Sequence, residues 1–348
     1  MSTWTGDGMR FLDIHFLNVG HGDCIIVEFP ERLTVIDINN CKSFGKTTEN
    51  ELRKRNKPHE TNPLLMYGLF GNPVQPKSLL QVMTESVEAN RKLQEQKDDL
   101  TNPIDFLKAR FPGRPIFRYI QSHPDMDHMA GLYSLWAEEN VPIVNFWDTR
   151  HCIEKDEVAM SRGEVNHDVR DWQTYKYLRN CVSNPTVLHL THGDQGDYWT
   201  IDGIHIWAPF DHSHQNDPDA DPNGLSYLLR IIVGKCDILL GGDATAETWE
   251  ALYKRYNPLP KITLLKASHH GRKSGYHMES IKAMNPDLTI MSVGELKAKD
   301  DASASYERFS KQGCYSTLDH GDITARCWVD GEVRLYDRDG KQIASSWG

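Results

Sequence analysis

The chain has 348 residues, of which 39% are hydrophobic and 25% are charged, and its formal net charge is −10. This composition supports an ordinary globular core and excludes a globally disordered chain. The excess of acidic residues argues against a broad basic surface for nucleic acid, although it leaves a local basic groove open.

The cysteines and the apolar runs predict a reduced, cytoplasmic protein. Seven cysteines are scattered singly without a CxxC pair, which disfavours both a disulfide framework and a thiolate zinc site. The N-terminal MSTWTGDGMRF has no basic segment followed by an apolar one, so we expect no secretory signal. No uncharged apolar run approaches the roughly 20 residues of a membrane helix, and we expect no membrane association.

The first segment predicts short strands, because FLDIHFLNV, DCIIVEF and RLTVIDI are β-branched runs separated by turn residues. The composition changes over residues 41–112. There, KSLLQVMTESVEANRKLQEQ places Leu79, Met83 and Val87 on one face of a predicted helix. We therefore expect 41–112 to be a helical insertion.

Strands and helices alternate after the insertion. PIVNFW predicts a strand and DVRDWQTYKYLRN a helix, whereas GDYWTIDGIHIWAPF predicts two short strands. LSYLLRIIV, CDILLGGD and KITLLKAS predict further strands, with AETWEALYKRY a helix between the last two, and ITARCWV with EVRLYD predicts a closing hairpin. Two strand-led halves with helices between them indicate an α/β protein with paired sheets covered by helices.

The stretch YIQSHPDMDHMAGL ends a predicted strand with histidines and aspartates in the spacing H-x-D-x-D-H. In extended backbone, His123, Asp125 and Asp127 point the same way, and His128 follows as the chain turns. Carboxylates two residues apart repel each other unless a positive charge lies between them. The motif therefore indicates a metal site, in which one pair of residues serves one metal and the next pair another.

Two further predicted strands end on the same residue types. ILLGGD ends at Asp243, and LLKASHHG ends at His269 and His270. Metal sites need nitrogen and oxygen donors that converge from rigid elements, and strand ends provide them. Three strand ends that each close on an acid or a histidine indicate one shared metal site.

The order of these motifs resembles the metallo-β-lactamase fold of binuclear metallohydrolases. More narrowly, it resembles the metallohydrolase domain of the DNA-uptake protein ComEC. FLNVGHGDCIIVEF, SHPDMDHMAGL, NGLSYLL, LLGGD, LLKASHHG, PDLTIMSVG and YSTLDHG occur in that family's order and cover most of residues 11–336. His21 stands where the family usually has Gln, and Arg272 stands where it commonly has Ser. The resemblance implies an αββα sandwich in a single domain over 1–348, with the insertion at 41–112.

The resemblance also implies roles for the motif residues. Two divalent metal ions, Zn²⁺ or Mn²⁺, would be held by His123, Asp125, Asp127, His128, Asp243 and one of His269 or His270, of which we favour His269. The candidate catalytic residues are Asp127, His270 and Lys266. Asp37 would orient the ligand loop, Asp23 is a turn residue, and His189 and His192 are additional candidate ligands.

The function implied is a binuclear metal-dependent hydrolase, a phosphodiesterase or nuclease that uses a metal-bridging hydroxide. A first alternative is a hydrolase of a small phosphodiester or lactone, which the net charge of −10 favours over a polyanion substrate. A second is a partner-binding protein, in which 41–112 docks a protein and the metal site is structural. We therefore expect a nucleic acid or a small phosphodiester as substrate.

Overall fold

The computed structural model describes residues 10–40, 52–53, 56, 79–162, 167–293, 297 and 299–347. Most of the first half of the predicted insertion, between residues 41 and 78, therefore lies outside the described residues. None of the described helices is long and apolar enough to cross a membrane.

The strands of the described residues form two sheets. They span Phe11–Phe16 (β1), Ile25–Glu28 (β2), Leu33–Ile36 (β3), Ile116–Ile120 (β4), Ile143–Trp147 (β5), Thr186–Leu188 (β6), Ile204–Ala208 (β7), Leu228–Val233 (β8), Cys236–Leu240 (β9), Leu264–Lys266 (β10), Leu288–Met291 (β11), Cys314–Ser316 (β12), Ile323–Trp328 (β13), Glu332–Tyr336 (β14) and Gln342–Trp347 (β15). The first sheet has the order β15-β14-β13-β1-β2-β3-β4-β5-β6, and the second has the order β12-β11-β10-β9-β8-β7.

Each sheet contains a parallel part. Strands β3 to β6 pair in parallel in the first sheet, and β9 to β12 do so in the second. The pairings of β1 with β2 and β13, and of β7 with β8, are antiparallel. Because the carboxyl ends of parallel strands meet at one edge of a sheet, side chains that follow β3 to β6 share one edge. Side chains that follow β9 to β12 share one edge of the second sheet in the same way.

The helices of the described residues lie between the strands along the chain. They span Leu79–Asp98 (α1), Pro103–Arg110 (α2), Glu157–Ser161 (α3), Val169–Arg179 (α4), Asp197–Ile201 (α5), Ala246–Arg255 (α6), Met278–Met284 (α7), Ser303–Phe309 (α8) and Thr317–His320 (α9). Short helical turns at Met126–His128, Ser134–Glu138 and Ser268–Gly271 occur at or near the candidate site residues.

The central core lies between the two sheets. Ile14 and Val27 of the first sheet belong to the same buried cluster as Leu229 and Ile238 of the second. Alternate residues of a strand point to opposite faces, so the remaining apolar residues of each sheet face outward. The facing sides of the two sheets thus form one apolar layer.

Helices cover the outer faces of both sheets. Phe146 of β5 belongs to one buried cluster with Trp172 of α4, and Leu239 of β9 belongs to another with Trp249 of α6. All four side chains are completely buried. The order helix, sheet, sheet, helix confirms the αββα sandwich predicted from the sequence.

The long helix α1 buries a different face from the one that the sequence pattern marks. Met83 and Val87 are 58% and 67% exposed. Among the α1 side chains that the structure describes, Ala89 and Leu93 are buried, and Leu93 packs near Leu318 of α9. The helix itself agrees with the prediction, but a three-residue apolar stripe did not identify the side that meets the rest of the protein.

The prediction of two strands over 196–210 is half wrong. The second segment is β7, but the first is the helical turn α5. Gly196 O accepts a hydrogen bond from Thr200 N at 3.0 Å, and Gly196 N donates to Thr200 Oγ1 at 3.2 Å. The turn places the Trp199 ring 5.5 Å from the Trp147 ring. Five residues are too few for periodicity to separate a strand from a helical turn.

Candidate metal centre

The candidate site lies where β4, β9 and β10 end. His123, His128 and Asp243 each offer a ligand atom, and these atoms all lie within 4.8 Å of one another. All three residues are buried. Because the histidines follow a strand of the first sheet and Asp243 follows a strand of the second, the group is assembled across the contact between the sheets.

Both histidines of this group have one nitrogen held and one nitrogen free. His123 Nδ1 lies 2.9 Å from Ser122 Oγ, and His128 Nδ1 lies 2.7 Å from Asp37 Oδ2. Ser122 Oγ donates to Asp37 Oδ2 at 2.6 Å, so it accepts from His123. Each Nδ1 therefore carries a proton, which leaves Nε2 as the atom of each ring that can bind a metal once it is deprotonated. Both Nε2 atoms are buried and have no hydrogen-bond partner among the described residues.

The carboxylate of Asp37 holds the loop that carries His123 and His128 in place by hydrogen bonds. Its φ of 58° lies in the left-handed region, just after β3 ends. Its Oδ1 accepts a hydrogen bond from Ser122 N at 2.7 Å, and its Oδ2 accepts from the side chains of Ser122 and His128. The sequence predicts that Asp37 orients the ligand loop, and these contacts are the geometry that such a role requires.

The two histidines that follow β10 differ in position. Both have left-handed backbone, with φ of 49° at His269 and 56° at His270. His270 is buried, its Nδ1 donates to Ser292 O at 2.9 Å, and its Nε2 lies 3.2 Å from Asp243 Oδ2. His269 Nε2 lies 3.9 Å from the same oxygen. Within the described residues the candidate groups contain His270 and not His269, so the geometry favours His270 as ligand over the preferred His269.

A second group contains His21, Asp127 and His270, whose ligand atoms also lie within 4.8 Å of one another. Asp127 Oδ2 lies 3.7 Å from His270 Nε2, and the ring of His21 lies 4.7 Å from the ring of His270. Sequence reasoning missed His21, which stands in the turn between β1 and β2. Its place inside the VGHGD motif was the only signal that could have found it.

Asp23 belongs to two further groups, although the sequence predicts only a turn residue there. It shares one group with Asp243 and His270 and the other with Asp37 and His128. It is 1% exposed, and its Oδ1 has no hydrogen-bond partner among the described residues. Asp23 therefore contributes negative charge at the centre of the site.

Lys266 compensates this charge. It is fully buried and forms an ion pair with Asp23, and its Nζ lies 3.7 Å from Asp243 Oδ1. Burial lowers the pKa of Lys266, but the carboxylates of Asp23 and Asp243 raise it further, so the net shift is upward. The sequence proposes Lys266 as catalytic. Its complete burial suits charge compensation behind the ligands better than contact with a substrate.

Asp125 is the one residue of the H-x-D-x-D-H motif outside every candidate group of described residues. Its Oδ1 lies 2.6 Å from Lys155 Nζ, and its Oδ2 lies 3.8 Å from His123 Nε2. The carboxylate therefore reaches the first group with one oxygen while a lysine holds the other. Nothing in the sequence connects Lys155 with this motif, because it lies 30 residues away in a loop.

Electrostatics at the site favour protons on some histidines and not on others. Burial opposes protonation of His270, but the Asp243 carboxylate overcomes it and raises the pKa of His270 to about 9. The pKa of His128 is raised against burial by the same carboxylate. The pKa of Asp243 is held well below its usual range, because the charges of both histidines outweigh burial. In contrast, burial lowers the pKa of His123 and takes that of His269 to about 4.

The donor atoms fit a divalent metal ion. Four buried atoms, namely Nε2 of His123, His128 and His270 and Oδ1 of Asp243, have no hydrogen-bond partner in the described part of the chain. Buried polar atoms are nearly always paired, so four unpaired atoms in one place need a ligand. Imidazole and carboxylate donors suit divalent metals such as zinc and manganese.

The two additional candidate ligands of the sequence analysis, His189 and His192, lie outside the groups formed by the described residues. His189 Nδ1 lies 3.0 Å from Asp148 O, at the end of β6. His192 is bound at both nitrogens, with Nδ1 3.1 Å from Trp207 O and Nε2 2.9 Å from Tyr256 Oη. His192 is therefore held as a structural residue.

Comparison with known proteins gives architectural likeness only. No protein-family model and no curated protein matches the chain. Among solved structures, Igni18, a metallo hydrolase from the archaeon Ignicoccus hospitalis, is 11% identical, with a TM-score of 0.38 over 90% of this chain and 98% of that one. YhfI from Bacillus subtilis, a metallo-β-lactamase fold protein, is 8% identical, with a TM-score of 0.39 over 87% and 95%.

A third solved structure is CmlA, a diiron β-hydroxylase from Streptomyces venezuelae. It is 11% identical to this chain, with a TM-score of 0.44, and the match covers 92% of this chain and 55% of CmlA. Likeness of this size concerns the general arrangement of sheets and helices. The chemistry of this chain therefore has to be argued from its own residues.

Proposed function

We propose that the chain is a binuclear metal-dependent hydrolase that cleaves phosphodiesters, with nucleic acid as the leading substrate. The observation that carries the proposal is the convergence of buried, unpartnered Nε2 atoms of His123, His128 and His270 on the carboxylate of Asp243. Purely structural metal sites are closed by four ligands, whereas this region offers more donors than one metal needs.

The arrangement supports two metals rather than one. His123 and His128 form one group with Asp243, and Asp127 and His270 belong to another with His21. Asp243 Oδ2 lies 3.4 Å from His128 Nε2 and 3.2 Å from His270 Nε2. In this proposal Asp243 would contribute to both sites, because it shares candidate groups with His123 and His128 and also with His270.

The donor set favours hard divalent ions. Asp127 and Asp243 supply oxygen donors, and Asp125 can join them if Lys155 releases it, so we propose Mn²⁺ first and Zn²⁺ second. Bound divalent metals at such sites activate water for attack and stabilise charge on phosphoryl oxygens. The protein's own contribution is orientation: Asp37 and Ser122 fix the rings of His123 and His128, so that both Nε2 atoms face the same space.

Cationic side chains around the site support a phosphodiester as substrate. Lys155 and Arg272 are both partly exposed and lie beside the candidate groups, Lys155 next to Asp125 and Arg272 next to His21. They provide local positive charge on a chain whose net charge is −10. The motif order that resembles the ComEC-type metallohydrolase domain supports the same substrate class.

The net charge supports a small phosphodiester as an alternative substrate. A chain with 49 acidic and 39 basic residues repels a long polyanion more than it repels a small ester. A small phosphodiester would need the same ligands and the same flanking cations, but no extended groove. The size of the substrate is therefore the part of the proposal that an assay must decide.

A nuclease assay tests the proposal. Mn²⁺-loaded protein is incubated with end-labelled single- and double-stranded DNA and RNA, next to Asp243→Asn and to His214→Ala, an exposed histidine outside the groups. We expect cleavage by the wild type and by His214→Ala. Asp243→Asn should lose roughly 10³-fold or more, because metal assistance supplies several kcal/mol to the transition state.

The metal content of each protein is measured alongside. If protein that holds its metals cleaves no polymer but cleaves bis-p-nitrophenyl phosphate, the small-phosphodiester version is supported. If it cleaves neither, the phosphodiesterase proposal is wrong.

A further inference from the structure

A direct contact between Arg272 and His21 lies beside the candidate metal centre. Arg272 Nη2 is 2.6 Å from His21 Nε2, although the two residues are 251 positions apart. A guanidinium is always a donor, so His21 Nε2 accepts this hydrogen bond with its lone pair. The proton of the neutral imidazole is then on Nδ1, which is buried and has no hydrogen-bond partner among the described residues.

His21 therefore differs from the other buried histidines at the site. His123, His128 and His270 each have Nδ1 held by an acceptor and a free Nε2. In His21 the lone pair of Nε2 is occupied by Arg272, and a metal cannot share it. The His21 ring is therefore better placed to orient the guanidinium of Arg272 than to bind a metal.

Arg272 has guanidinium donors that no described residue accepts. Several other arginines of the described residues pair with carboxylates, as Arg179 does with Asp148 and Arg230 with Asp237. No carboxylate of the described residues lies within ion-pair distance of Arg272, and its buried Nε has no hydrogen-bond partner there. A guanidinium whose partner is a neutral imidazole retains its full charge for an anion.

The backbone keeps this guanidinium close to the site. Arg272 follows His270 by two residues, its N donates to His269 O at 2.9 Å, and it forms a β-bridge with Asp301. Gly271 precedes it with a φ of 82°, and a Cβ there would come within 2.5 Å of Met291 Sδ. The turn is therefore fixed on both sides of Arg272, and its side chain reaches the ring that neighbours His270.

We propose that Arg272 is the anion-recognition residue of this centre, and that His21 is a positioning residue that aims it. The guanidinium binds a non-bridging oxygen of a phosphate group held at the metal centre. This inference rests on the proposed function and narrows its substrate class to esters with an anionic oxygen, which disfavours a neutral lactone. Arginine suits this role because its planar donors match the geometry of a phosphate group.

Phosphate binding tests the role of Arg272 without relying on turnover. Titration calorimetry measures the affinity of the Mn²⁺-loaded protein for inorganic phosphate, and elemental analysis measures its metal content. We expect Arg272→Ser to bind phosphate about 10- to 100-fold more weakly with unchanged metal content, since a charge-assisted hydrogen bond is lost. The phosphate affinity of Arg272→Lys should lie between those of the wild type and Arg272→Ser. Lysine keeps the positive charge but lacks the paired planar donors of a guanidinium.

Lys273→Ser is the matched control, because Lys273 is the exposed neighbour whose Nζ donates to Lys299 O. It should bind phosphate as the wild type does. Unchanged phosphate affinity in Arg272→Ser, or loss of metal from that variant, would overturn the proposal.

The role of His21 is tested by a pair of variants. His21→Gln keeps a side-chain acceptor for Arg272, so we expect its phosphate affinity to stay near that of the wild type. His21→Leu has no acceptor, and its affinity should fall towards that of Arg272→Ser. Both variants should retain the wild-type metal content. Loss of metal from His21→Gln would show that His21 is a ligand and would refute the positioning role.

The outcomes separate this inference from the proposed function. Phosphate binding that depends on Arg272, in protein that cleaves no phosphodiester, would refute the hydrolase and leave anion recognition intact. If the wild type cleaves phosphodiesters but its phosphate affinity does not depend on Arg272, the hydrolase is supported and the role of Arg272 in anion recognition is refuted.

Discussion

Two buried polar clusters lie near each other at the carboxyl ends of the parallel strands of the first sheet. One follows β5 and centres on Asp148, and the other follows β4 and contains His123 and His128. In the first cluster, Asp148 accepts hydrogen bonds from Tyr175 Oη and from Arg179 Nε, the latter at 2.8 Å. The hydroxyl of Tyr175 also lies 2.6 Å from Nε2 of His151.

The clusters differ in whether all of their buried polar atoms have hydrogen-bond partners. The side-chain polar atoms of Asp148, Tyr175 and His151 all have partners, since His151 Nδ1 accepts from Ile153 N at 3.1 Å. The metal cluster leaves several buried atoms, among them Nε2 of His123 and Oδ1 of Asp23, without partners among the described residues. A closed network stabilises the fold, whereas unpaired atoms cost stability until a ligand arrives. Both clusters are buried and both contain histidine, so the unpaired atoms are the better guide to function.

The largest effect on folding should come from the closed cluster. Asp148→Asn places an amide among donors and leaves the partly buried Arg179 without its counter-charge. We expect the free energy of unfolding to fall by about 3–5 kcal/mol, the usual cost of breaking a buried pair. Urea denaturation measures this, and elemental analysis should find the wild-type metal content under native conditions.

The isosteric change Asp243→Asn in the metal cluster is the matched comparison. In the metal-free protein above pH 9, where the proton on His270 no longer contributes, this change should cost clearly less than Asp148→Asn, and it should abolish metal binding. Equal losses of stability in the two variants would contradict the distinction between the clusters.

The second effect concerns pH in the metal-free protein. The pKa of His270 is raised from 6.5 to about 9 by Asp243, so the folded state holds this proton more tightly than the unfolded state does. The resulting stabilisation is complete below pH 6.5 and is lost as the pH rises to 9. We expect a decrease of about 3 kcal/mol over this window, measured by urea denaturation in the presence of a chelator.

Metal replaces the proton, so the stability gained from added Mn²⁺ should grow over the same pH range. The Asp148 cluster supplies the internal control, because Asp148→Asn should leave the slope between pH 6.5 and 9 unchanged. A metal-free protein whose stability stays flat or rises through this window would show that no proton is shared at His270.

The smallest effect is expected at the hydroxyl that links Asp37 to His123. Ser122→Ala removes the acceptor for His123 Nδ1 and frees the tautomer of that ring. We expect metal affinity to fall about tenfold, the lower end of what loss of an orienting partner costs. Competition with a chelating dye measures it, and Ser213→Ala, at an exposed serine, serves as control. An unchanged affinity would mean that the His123 ring is fixed by packing alone.

Local patterns predicted much of this site because its residues follow strands. Asp37, His123 and Asp243 each come within three residues of the end of an apolar strand, and parallel strands bring such positions together. The layered fold followed from the same runs. The apolar stripe of α1 was less informative, because Met83 and Val87 are exposed, and an amphipathic pattern does not name its partner.

What the sequence could not provide were contacts between distant segments. His21 and Arg272 were noted only as two separate departures from a family pattern, and their contact depends on how the β1–β2 turn meets the turn after β10. The pairing of Lys155 with Asp125 depends likewise on the course of a loop. Which of His269 and His270 faces Asp243 depends on two left-handed backbone conformations that no local pattern specifies.

The assembly of the candidate centre from both sheets has a consequence for folding. His128 comes from the first sheet, whereas Asp243 and His270 come from the second, more than 100 residues later in the chain. The ligands therefore meet only after the sheets have packed, so a fragment that ends before β9 has no complete site. Bound metal would act as a late cross-link between the sheets, and its removal should speed unfolding more than it slows refolding.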